Sequence, residues 1–417
     1  MSEVTRLRTI AVAAYGPTAL SSVGLGAVTP VLALTALHLG ADPGVAALVV
    51  GLLGVGLVLG DLPAGALTAR IGERRALIGA SLGEAVAFGA AGLSPTLVTL
   101  AGAVLVVGVS QSVFGLARHS FLIEVVPVPM RARALSTLGG VHRIGMLLGP
   151  FAGAAVVARW GLVAAYAAAA VTALLAAGLV ASMRELTGSS PALAARGVDR
   201  PDQQPPQRLG GVLRRHRRLL ATLGVGVLAV AATRAARNAI VPLWAEAIGL
   251  DATATSLAFG ISGVLDVLLF YPAGWVMDRH GRVAVAVPSM LVLGVGLALV
   301  PLAGSFWSLV AVASVLGVGN GIGAGILLTL GADVAPQQGR AQFLSGWRLM
   351  ADVGNAAGPA LVSLGTVLVS LGAAAVGLGA LAWFGALWLW RWVPRRVGSP
   401  AGVSAEVGSP GEPTRAP

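Results

Sequence analysis

The sequence predicts an all-α membrane protein in which twelve transmembrane helices form two pseudo-symmetric six-helix bundles. Three observations predict this fold: the composition, the number of apolar segments and an internal repeat. Hydrophobic residues make up 56% of the 417-residue chain and charged residues 11%, and the mean hydropathy is +0.85. A soluble domain carries about 25% charged residues. The chain therefore has too few charges to cover a water-exposed surface.

Two missing residue types exclude several classes of protein. All 28 basic residues are Arg, and the chain has no Lys and no Cys. Without Lys there is no Walker A site for an ATP-driven pump and no Schiff base with pyridoxal phosphate. Without Cys there is no thiol nucleophile, disulfide or cysteine-ligated metal cluster. The sequence also has no HExxH motif, no nucleophile elbow after a predicted strand and no metal-ligand cluster, so we expect a protein that is not an enzyme and that uses neither a cofactor nor a metal ion.

The apolar segments are long enough to cross a membrane, which takes about 20 helical residues. The first segment is longer than the hydrophobic region of a signal peptide, about 7–15 residues, so we expect it to be a permanent span. The sequence predicts twelve spans, at 10–37, 44–68, 76–94, 96–118, 133–158, 162–183, 219–248, 254–277, 283–303, 306–330, 341–368 and 371–393.

The arginines predict the orientation of these spans. With the N-terminus placed in the cytoplasm, 23 of the 28 Arg residues fall on the cytoplasmic side, and only Arg159 falls on the other side. An excess of positive charge marks cytoplasmic loops. The sequence therefore predicts a multi-pass protein of the inner (plasma) membrane with both termini in the cytoplasm.

Two segments differ from the spans in composition and divide the chain. Residues 186–217 are polar and Pro-rich, and residues 396–417 are rich in Gly, Ser and Pro. We interpret the first as a cytoplasmic linker between bundles at 1–185 and 218–395, and the second as a disordered cytoplasmic tail. The basic run at 214–218 suits anionic lipid or nucleic acid as a partner. We interpret it instead as an anchor for the seventh span and expect no nucleic-acid partner.

The two halves align without gaps at a constant offset of 209 residues. Pro63-Ala64-Gly65 matches Pro272-Ala273-Gly274, and Gly149-Pro150 matches Gly358-Pro359. Six spans and a linker separate equivalent residues, so equivalent spans cross the membrane in the same direction. The sequence therefore predicts a parallel repeat about an axis along the membrane normal.

Three motifs carry a resemblance to a known family. Residues 274–282 read Gly-Trp-Val-Met-Asp-Arg-His-Gly-Arg, and the equivalent loop at 65–75 has Ala69 in place of its Asp. These loops resemble the loop signature of the major facilitator superfamily. Residues 145–153 resemble the fifth-helix motif of its drug/proton antiporter branch. The resemblance covers about residues 10–393 and implies the major facilitator fold.

The charged loop residues are candidates for a cytoplasmic gate. We expect Arg70 to pair with Glu124, and Arg279 to pair with Asp333, so that each pair latches one conformation. Anchoring to lipid headgroups is the alternative role for these arginines. The candidate gate residues are Gly65, Arg70, Gly72, Glu124, Arg131, Gly274, Asp278, Arg279, Gly281, Arg282, Asp333 and Arg340.

The fifth span carries small residues on one face. Gly145, Gly149 and Gly153 recur every four residues, and Pro150 allows a kink. Such a face lets a neighbouring helix approach closely. Static packing is one interpretation, and a hinge that restrains leak, as the resemblance implies, is the other.

Charged and polar residues inside spans are candidates for coupling or substrate binding. A charged side chain at the centre of a membrane costs roughly 2.5–3.5 kcal/mol on insertion scales, so it faces a cavity or a partner. We expect Arg143 to reach Asp266, and Asp352 to pair with Arg234 or Arg237. The candidates are Asp266, Arg143, His142, Arg234, Arg237, Asn238, Asp352 and Glu84.

The resemblance implies that spans 1, 2, 4, 5, 7, 8, 10 and 11 line the cavity and that spans 3, 6, 9 and 12 are peripheral. Glu84 is in the third span, so we expect it to support structure. For the other acids, permanent ion pairs are one interpretation. The alternative is a carboxylate that loses its Arg partner during gating and takes a proton.

These observations favour a secondary active transporter that moves a small organic compound by alternating access. Proton-coupled efflux is the leading hypothesis, because of the fifth-helix motif. The alternative is an uptake carrier for a small nutrient or an organic anion, because Arg234 and Arg237 suit a carboxylate or a phosphate. A non-transporting membrane protein is the third hypothesis. The expected partners are the lipid bilayer, the substrate and protons, and we expect a monomer.

Overall fold

The computed structural model describes residues 3–126, 130–182, 209–336 and 338–393, and long helices dominate them. One helix corresponds to each predicted span, which confirms the predicted fold class. The helices are α1 (Glu3–His38), α2 (Pro43–Ile71), α3 (Glu73–Gly92), α4 (Leu97–Val125), α5 (Arg131–Trp160), α6 (Leu162–Ser182), α7 (Val225–Ala247), α8 (Ala252–His280), α9 (Val283–Leu299), α10 (Phe306–Ile322), α11 (Arg340–Leu368) and α12 (Leu371–Trp392).

Ten of these helices, some with short flanking turns, are long and apolar enough to cross a membrane by composition alone. The other two are α3 and α11, with 20 and 29 residues. Helix α3 begins with the charged sequence Glu73-Arg74-Arg75, and α11 carries Arg348 and Asp352 in its interior. These charges lower the hydropathy of helices that are still long enough to span.

One pair of equivalent helices begins and ends at equivalent residues. Helix α2 (43–71) and helix α8 (252–280) have 29 residues each, and both bounds are offset by 209. The N-caps repeat as well. The carboxylates of Asp42 and Asp251 accept hydrogen bonds from the first turns of α2 and α8, and Thr96 and Ser305 form capping boxes on α4 and α10. The repeat in the sequence is therefore a repeat of local structure.

Short turns connect the helices on two opposite faces of the protein. Gly72 ends α2 with φ +82°, and Gly281 ends α8 with φ +88°. A left-handed backbone of this kind favours glycine, because it has no Cβ to clash with the following carbonyl. We call the side that carries these two turns the motif face, and the other side the opposite face.

A short helix, Leu209–Arg215, precedes the second half of the chain, within the predicted linker. The segment Arg217–Leu219 and a π-turn at Leu220–Gly224 then lead into α7. The basic run therefore lies at the start of the seventh span. Residues 186–208 of the predicted linker and the predicted tail at 396–417 lie outside the described residues.

Within each half, small residues bring two helices into backbone contact. A Cβ added at Gly149 of α5 would lie 2.6 Å from the Gly26 Cα of α1. A Cβ added at Gly354 of α11, the residue equivalent to Gly145, would lie 2.6 Å from the Leu228 carbonyl oxygen of α7. The fifth-helix motif therefore has a counterpart in the other half. This favours static packing as its role.

Gly149→Ala is expected to destabilise the protein by roughly 1–3 kcal/mol, because the added methyl group overlaps α1. Gly140 is the matched control, since it lies on the same helix and an added Cβ there meets nothing within 4 Å. Gly140→Ala is expected to be neutral or stabilising by up to about 1 kcal/mol. Thermal unfolding in detergent measures both. Equal midpoints for the two variants would contradict the packing interpretation.

The two halves meet along α2–α11 and α5–α8. A Cβ added at Gly54 would lie 2.6 Å from the Ala356 backbone, and a Cβ added at Gly260 would lie 3.0 Å from the ring of Phe151. These close approaches lie between the middle of the helices and the opposite face. Several of the candidate residues line a cavity near the middle of these helices.

Candidate substrate and coupling site

Asp266 is the centre of a charged network in the middle of α8. Its Oδ1 accepts a hydrogen bond from Arg143 Nη1 of α5 at 3.1 Å. Its Oδ2 accepts one from the side-chain amide of Asn320 on α10, and Arg237 Nη1 lies 3.9 Å from the same oxygen. The expectation that Arg143 reaches Asp266 is confirmed. Because α5 and α8 belong to different halves, this ion pair joins the two bundles.

A break in α10 helps to hold Arg143. Helix α10 ends at Ile322, and a new helix, Ile326–Val334, begins after a short turn. Helix ends leave backbone carbonyls without helical partners. The Ala324 carbonyl accepts a hydrogen bond from Arg143 Nη2 at 3.1 Å, and the guanidinium also lies 4.5 Å from the ring centroid of Phe270.

Helix α7 contributes two more arginines, one turn apart and so on one side of the helix. Arg234 Nε donates a hydrogen bond to the Asn320 side-chain oxygen, and its Nη2 donates one to the Asn320 carbonyl at 3.4 Å. Arg237 lies over the ring of Phe259 at 4.9 Å and is only 7% exposed. Arg237 Nε is buried and has no hydrogen-bond partner. The network therefore has spare donors.

These residues line a cavity of about 250 Å³. In the part of the chain that the structure describes, its lining includes three Arg and one Asp, together with His142 and three Asn side chains, and no other charged residue. The formal charge of the lining is therefore +2 when His142 is neutral. A second cavity of about 310 Å³ is mostly apolar, and the two cavities share His142, Ala235, Asn238 and Asn355 as lining residues.

A second ion pair joins the bundles at α2 and α11. Arg348 Nη2 lies 3.1 Å from Asp61 Oδ1, and Arg348 Nε lies 3.5 Å from Asp352 Oδ2. Ser112 of α4 also donates a hydrogen bond to Asp61. The expectation that Asp352 pairs with Arg234 or Arg237 is wrong. Arg348 precedes Asp352 by four residues on the same helix and is the closer partner.

Sequence reasoning missed Asp61 and Asn320. Asp61 is an acid inside the second predicted span, so the criterion that selected Asp266 selects it too. Asn320 is uncharged, and only the structure shows that it bridges Arg234 and Asp266.

Glu84 and His142 belong to the first bundle. The Ser21 hydroxyl of α1 donates to Glu84 Oε2 at 3.1 Å, and Gln111 of α4 donates to Ser21 at 3.2 Å. Glu84 is fully buried among these helices. This geometry favours a structural role for Glu84. His142 Nδ1 lies 2.6 Å from the Ser22 hydroxyl, while its ring lines the central cavities.

The candidate gate differs from the prediction on the motif face. Arg282, rather than Arg279, holds Asp333, with Nε 2.7 Å from Oδ2 and Nη2 3.3 Å from Oδ1. Arg279 is exposed and lies 5.4 Å from the Trp275 ring centroid. The turn at Gly281 directs Arg282 back towards the helix Ile326–Val334, which carries Asp333. The hydrogen bond with Asp333 raises the pKa of Arg282 above its usual range.

The other gate residues can be placed in part. Arg131 Nε donates to the Val126 carbonyl at 3.2 Å, and Arg340 Nη2 donates to the Ala332 carbonyl at 3.3 Å. Each of these equivalent arginines thus holds the chain segment that precedes its own helix. Arg70 is exposed on the last turn of α2. The side chain of Glu124 lies outside the described residues, so its pairing with Arg70 stays a prediction.

Arg282→Gln is expected to lower stability by about 1–3 kcal/mol, because Asp333 loses a charged donor with two hydrogen bonds. Arg279→Gln is the matched control on the same turn and is expected to change stability by less than about 0.5 kcal/mol. Thermal unfolding of both purified variants tests this. A larger loss for Arg279→Gln than for Arg282→Gln would restore the original pairing.

Comparison with known proteins agrees with this architecture. The family model described as Major Facilitator Superfamily matches residues 18–235 and 222–413. No curated protein matches the chain by sequence. Among solved structures, a D-xylose–proton symporter is similar, with TM-score 0.73 and 16% identity over 93% of this chain and 98% of that chain.

Two peptide-transporter structures are similar as well. A peptide transporter, POT, in complex with alafosfalin has TM-score 0.73 and 16% identity over 93% of this chain and 94% of that chain. A POT family transporter in complex with 5-aminolevulinic acid has TM-score 0.70 and 12% identity over 93% and 96% of the two chains. At these identities the likeness concerns the fold alone. The family match spans nearly all of the helical chain, and the chain therefore belongs to the Major Facilitator Superfamily.

Proposed function

We propose that this chain is a proton-coupled secondary transporter that moves a small organic compound by alternating access. The observation that carries the proposal is the position of Asp266. This carboxylate lies at the centre of the protein and is paired with an arginine from the other bundle. A change in the relative position of the bundles therefore changes the partner of a titratable group.

The proton step follows from the cost of a buried charge. Asp266 is 15% exposed, so its charged form depends on Arg143, Asn320 and Arg237. A buried carboxylate without such partners is neutral, because an unpaired charge in an apolar interior is far more costly than a protonated acid. Separation of α5 from α8 removes Arg143, the closer of its two charged partners. Proton uptake and conformational change are coupled in this way.

The charges around the cavity favour inward movement of an anion together with the proton. An anion bound by the arginines repels the Asp266 carboxylate, and protonation of that carboxyl relieves the repulsion. Each of the two bound species therefore strengthens the binding of the other, as reciprocal linkage requires. Two species that bind together travel together, so a pH gradient that is acidic outside drives uptake.

Efflux in exchange for protons is the second candidate function. The observation that favours it is the fifth-helix motif, whose Gly145, Gly149 and Gly153 pack on α1. The equivalent packing of Gly354 and Gly358 on α7 shows that this contact is not special to one half. We therefore rank efflux below uptake.

We propose that the motif face is the cytoplasmic face. The arginine-rich segments are on this side, as the positive-inside rule requires. The inner (plasma) membrane is the proposed location, with both termini in the cytoplasm and a monomer as the functional unit.

Impermeant labelling of single cysteines at Gly40 and Gly72 in whole cells tests the orientation, since the chain has no Cys of its own. Labelling from outside is expected at Gly40 only.

Transport in proteoliposomes tests the function. A pH gradient is imposed on vesicles that contain the protein, and a panel of anionic and neutral organic compounds is added while a pH-sensitive dye inside reports proton flux. Uptake of an anion into vesicles that are more alkaline inside, with accompanying proton entry, is the expected result. Proton entry during loss of a preloaded compound would support exchange instead. Transport of the panel compounds at a rate that does not depend on the pH gradient would contradict proton coupling.

A further inference from the structure

We infer that the central cavity binds an amphipathic organic acid, with its carboxylate at the arginine cluster and its apolar part in the adjoining apolar cavity. The arginine cluster consists of Arg143, Arg234 and Arg237. The inference names the substrate class for the transport proposed above and rests on that proposal.

The charge inventory calls for an anion. Three guanidinium groups face a single carboxylate, and Asp266 is bonded directly to Arg143. Within the described part of the chain, Arg234 has hydrogen bonds only with Asn320 and no carboxylate at ion-pair distance. A buried cation without a counter-charge is costly. The site is therefore short of negative charge, and a bound anion supplies it.

The arrangement of donors favours a carboxylate. Arg237 is more than nine-tenths buried, and its Nε has no hydrogen-bond partner among the described residues. A guanidinium presents parallel N–H groups that match the two oxygens of a carboxylate. Arg237 lies one helical turn from Arg234, so both reach the same cavity. The amide groups of Asn238 and Asn355 line the same cavity and add neutral donors.

The adjoining cavity accounts for the apolar part of the acid. Leu25, Leu53, Leu57 and Phe88 are among its lining residues, and its volume is about 310 Å³. It shares His142, Ala235, Asn238 and Asn355 with the charged cavity, so the two spaces are adjacent. A ligand whose charge is at one end fits both surfaces, because burial of its apolar part in the apolar space is favourable.

Calorimetric titration of the full-length protein in lipid nanodiscs tests the inference with acetate, butyrate and hexanoate. Affinity is expected to rise about fourfold for each buried methylene group, or on the order of 10²-fold from acetate to hexanoate. Hexanamide has the same chain without the charge and is expected to bind at least about tenfold more weakly than hexanoate. Empty nanodiscs provide the blank for partition into lipid.

Two substitutions examine the two parts of the site separately. Arg234→Gln is expected to weaken hexanoate binding by about tenfold or more, and Arg159→Gln, an exposed arginine at the end of α5, is expected to leave it unchanged. Leu53→Trp fills the apolar cavity and is expected to reduce the gain from acetate to hexanoate. Unfolding midpoints show whether each variant is folded, and the wild-type series decides the inference if a variant is not.

Each outcome has a defined meaning. Equal affinity for hexanoate and hexanamide would overturn the role of charge, and equal affinity for acetate and hexanoate would overturn the role of the apolar cavity. Absence of binding by all three acids overturns the inference as a whole. If hexanoate binds as expected but no pH gradient drives its uptake, the inference holds and the proposed coupling fails. If proton-coupled transport is found only for compounds without an acid group, the coupling holds and the inference fails.

Discussion

Asp266→Asn is expected to abolish substrate accumulation driven by a pH gradient, while exchange of substrate across the membrane continues. One coupled proton sustains about tenfold accumulation per unit of pH difference, and the variant is expected to show none. Asparagine resembles the protonated acid in shape and cannot exchange the proton. Because Asn cannot repel a bound anion, substrate binding is expected to persist. Gradient-driven uptake and counterflow in the same vesicles measure the two properties.

Asp352→Asn is the comparison for this experiment. Asp352 contacts Arg348 on its own helix and lies outside the central network, so a milder loss is expected. If Asp266→Asn keeps the full response to the pH gradient, Asp266 is not the coupling group. Asp352, His142 and Glu84 then become the candidates for the coupling group.

Arg348→Gln is expected to impair the protein more than Asp61→Asn. Arg348 is the shared partner of two acids, Asp61 and Asp352, and its removal leaves both without a cation. The Arg348 side chain is 42% exposed, so its loss is expected to cost less than the about 3–5 kcal/mol of a fully buried ion pair. After Asp61→Asn, by contrast, Arg348 still has Asp352. Both the unfolding midpoint and the transport rate are expected to be highest for the wild type, lower for Asp61→Asn and lowest for Arg348→Gln.

The double variant Asp61→Asn/Arg348→Gln makes this prediction sharper. It removes one of the two stranded acids, so it is expected to recover about 1–3 kcal/mol relative to Arg348→Gln alone. Arg159→Gln, which removes an exposed arginine, is the control for a change in net charge. Additive losses in the double variant would show that the two residues do not interact, contrary to the contact in the structure.

Composition and periodicity predicted the fold because the membrane imposes strict demands on length and polarity. The number of spans and the repeat at 209 residues could be read from the sequence, and helix ends follow that repeat. The bounds are less predictable, because helices continue beyond the apolar segment. Helix α4 was predicted to end at 118 and continues to Val125, so Arg118 lies within the helix, beside Phe114.

The charges of the candidate site were predictable, but its pairs were predictable only in part: Arg143 with Asp266 is confirmed, and Asp352 with Arg234 or Arg237 is wrong. Any charge inside a span is conspicuous, which is how Asp266, Arg143 and Arg237 were selected. Pairing depends on the rotation and depth of each helix, and a shift of one turn changes the partner. Asp333 is an example, because its partner is Arg282 and not Arg279, which is three residues earlier.

The unlike charges at the equivalent residues Arg143 and Asp352 have a consequence for how a ligand lies in the protein. A cavity with true two-fold symmetry offers an asymmetric compound two poses of equal energy, related by rotation through 180°. Arg143 and its neighbours make one half of the wall cationic, so only one pose places an acid against a guanidinium. The compound is therefore held in a single direction, and a chiral centre beside its acid group meets the same wall in every transport cycle. Because the charge is unequal in two structurally similar halves, the protein is expected to discriminate between the two enantiomers of a chiral acid.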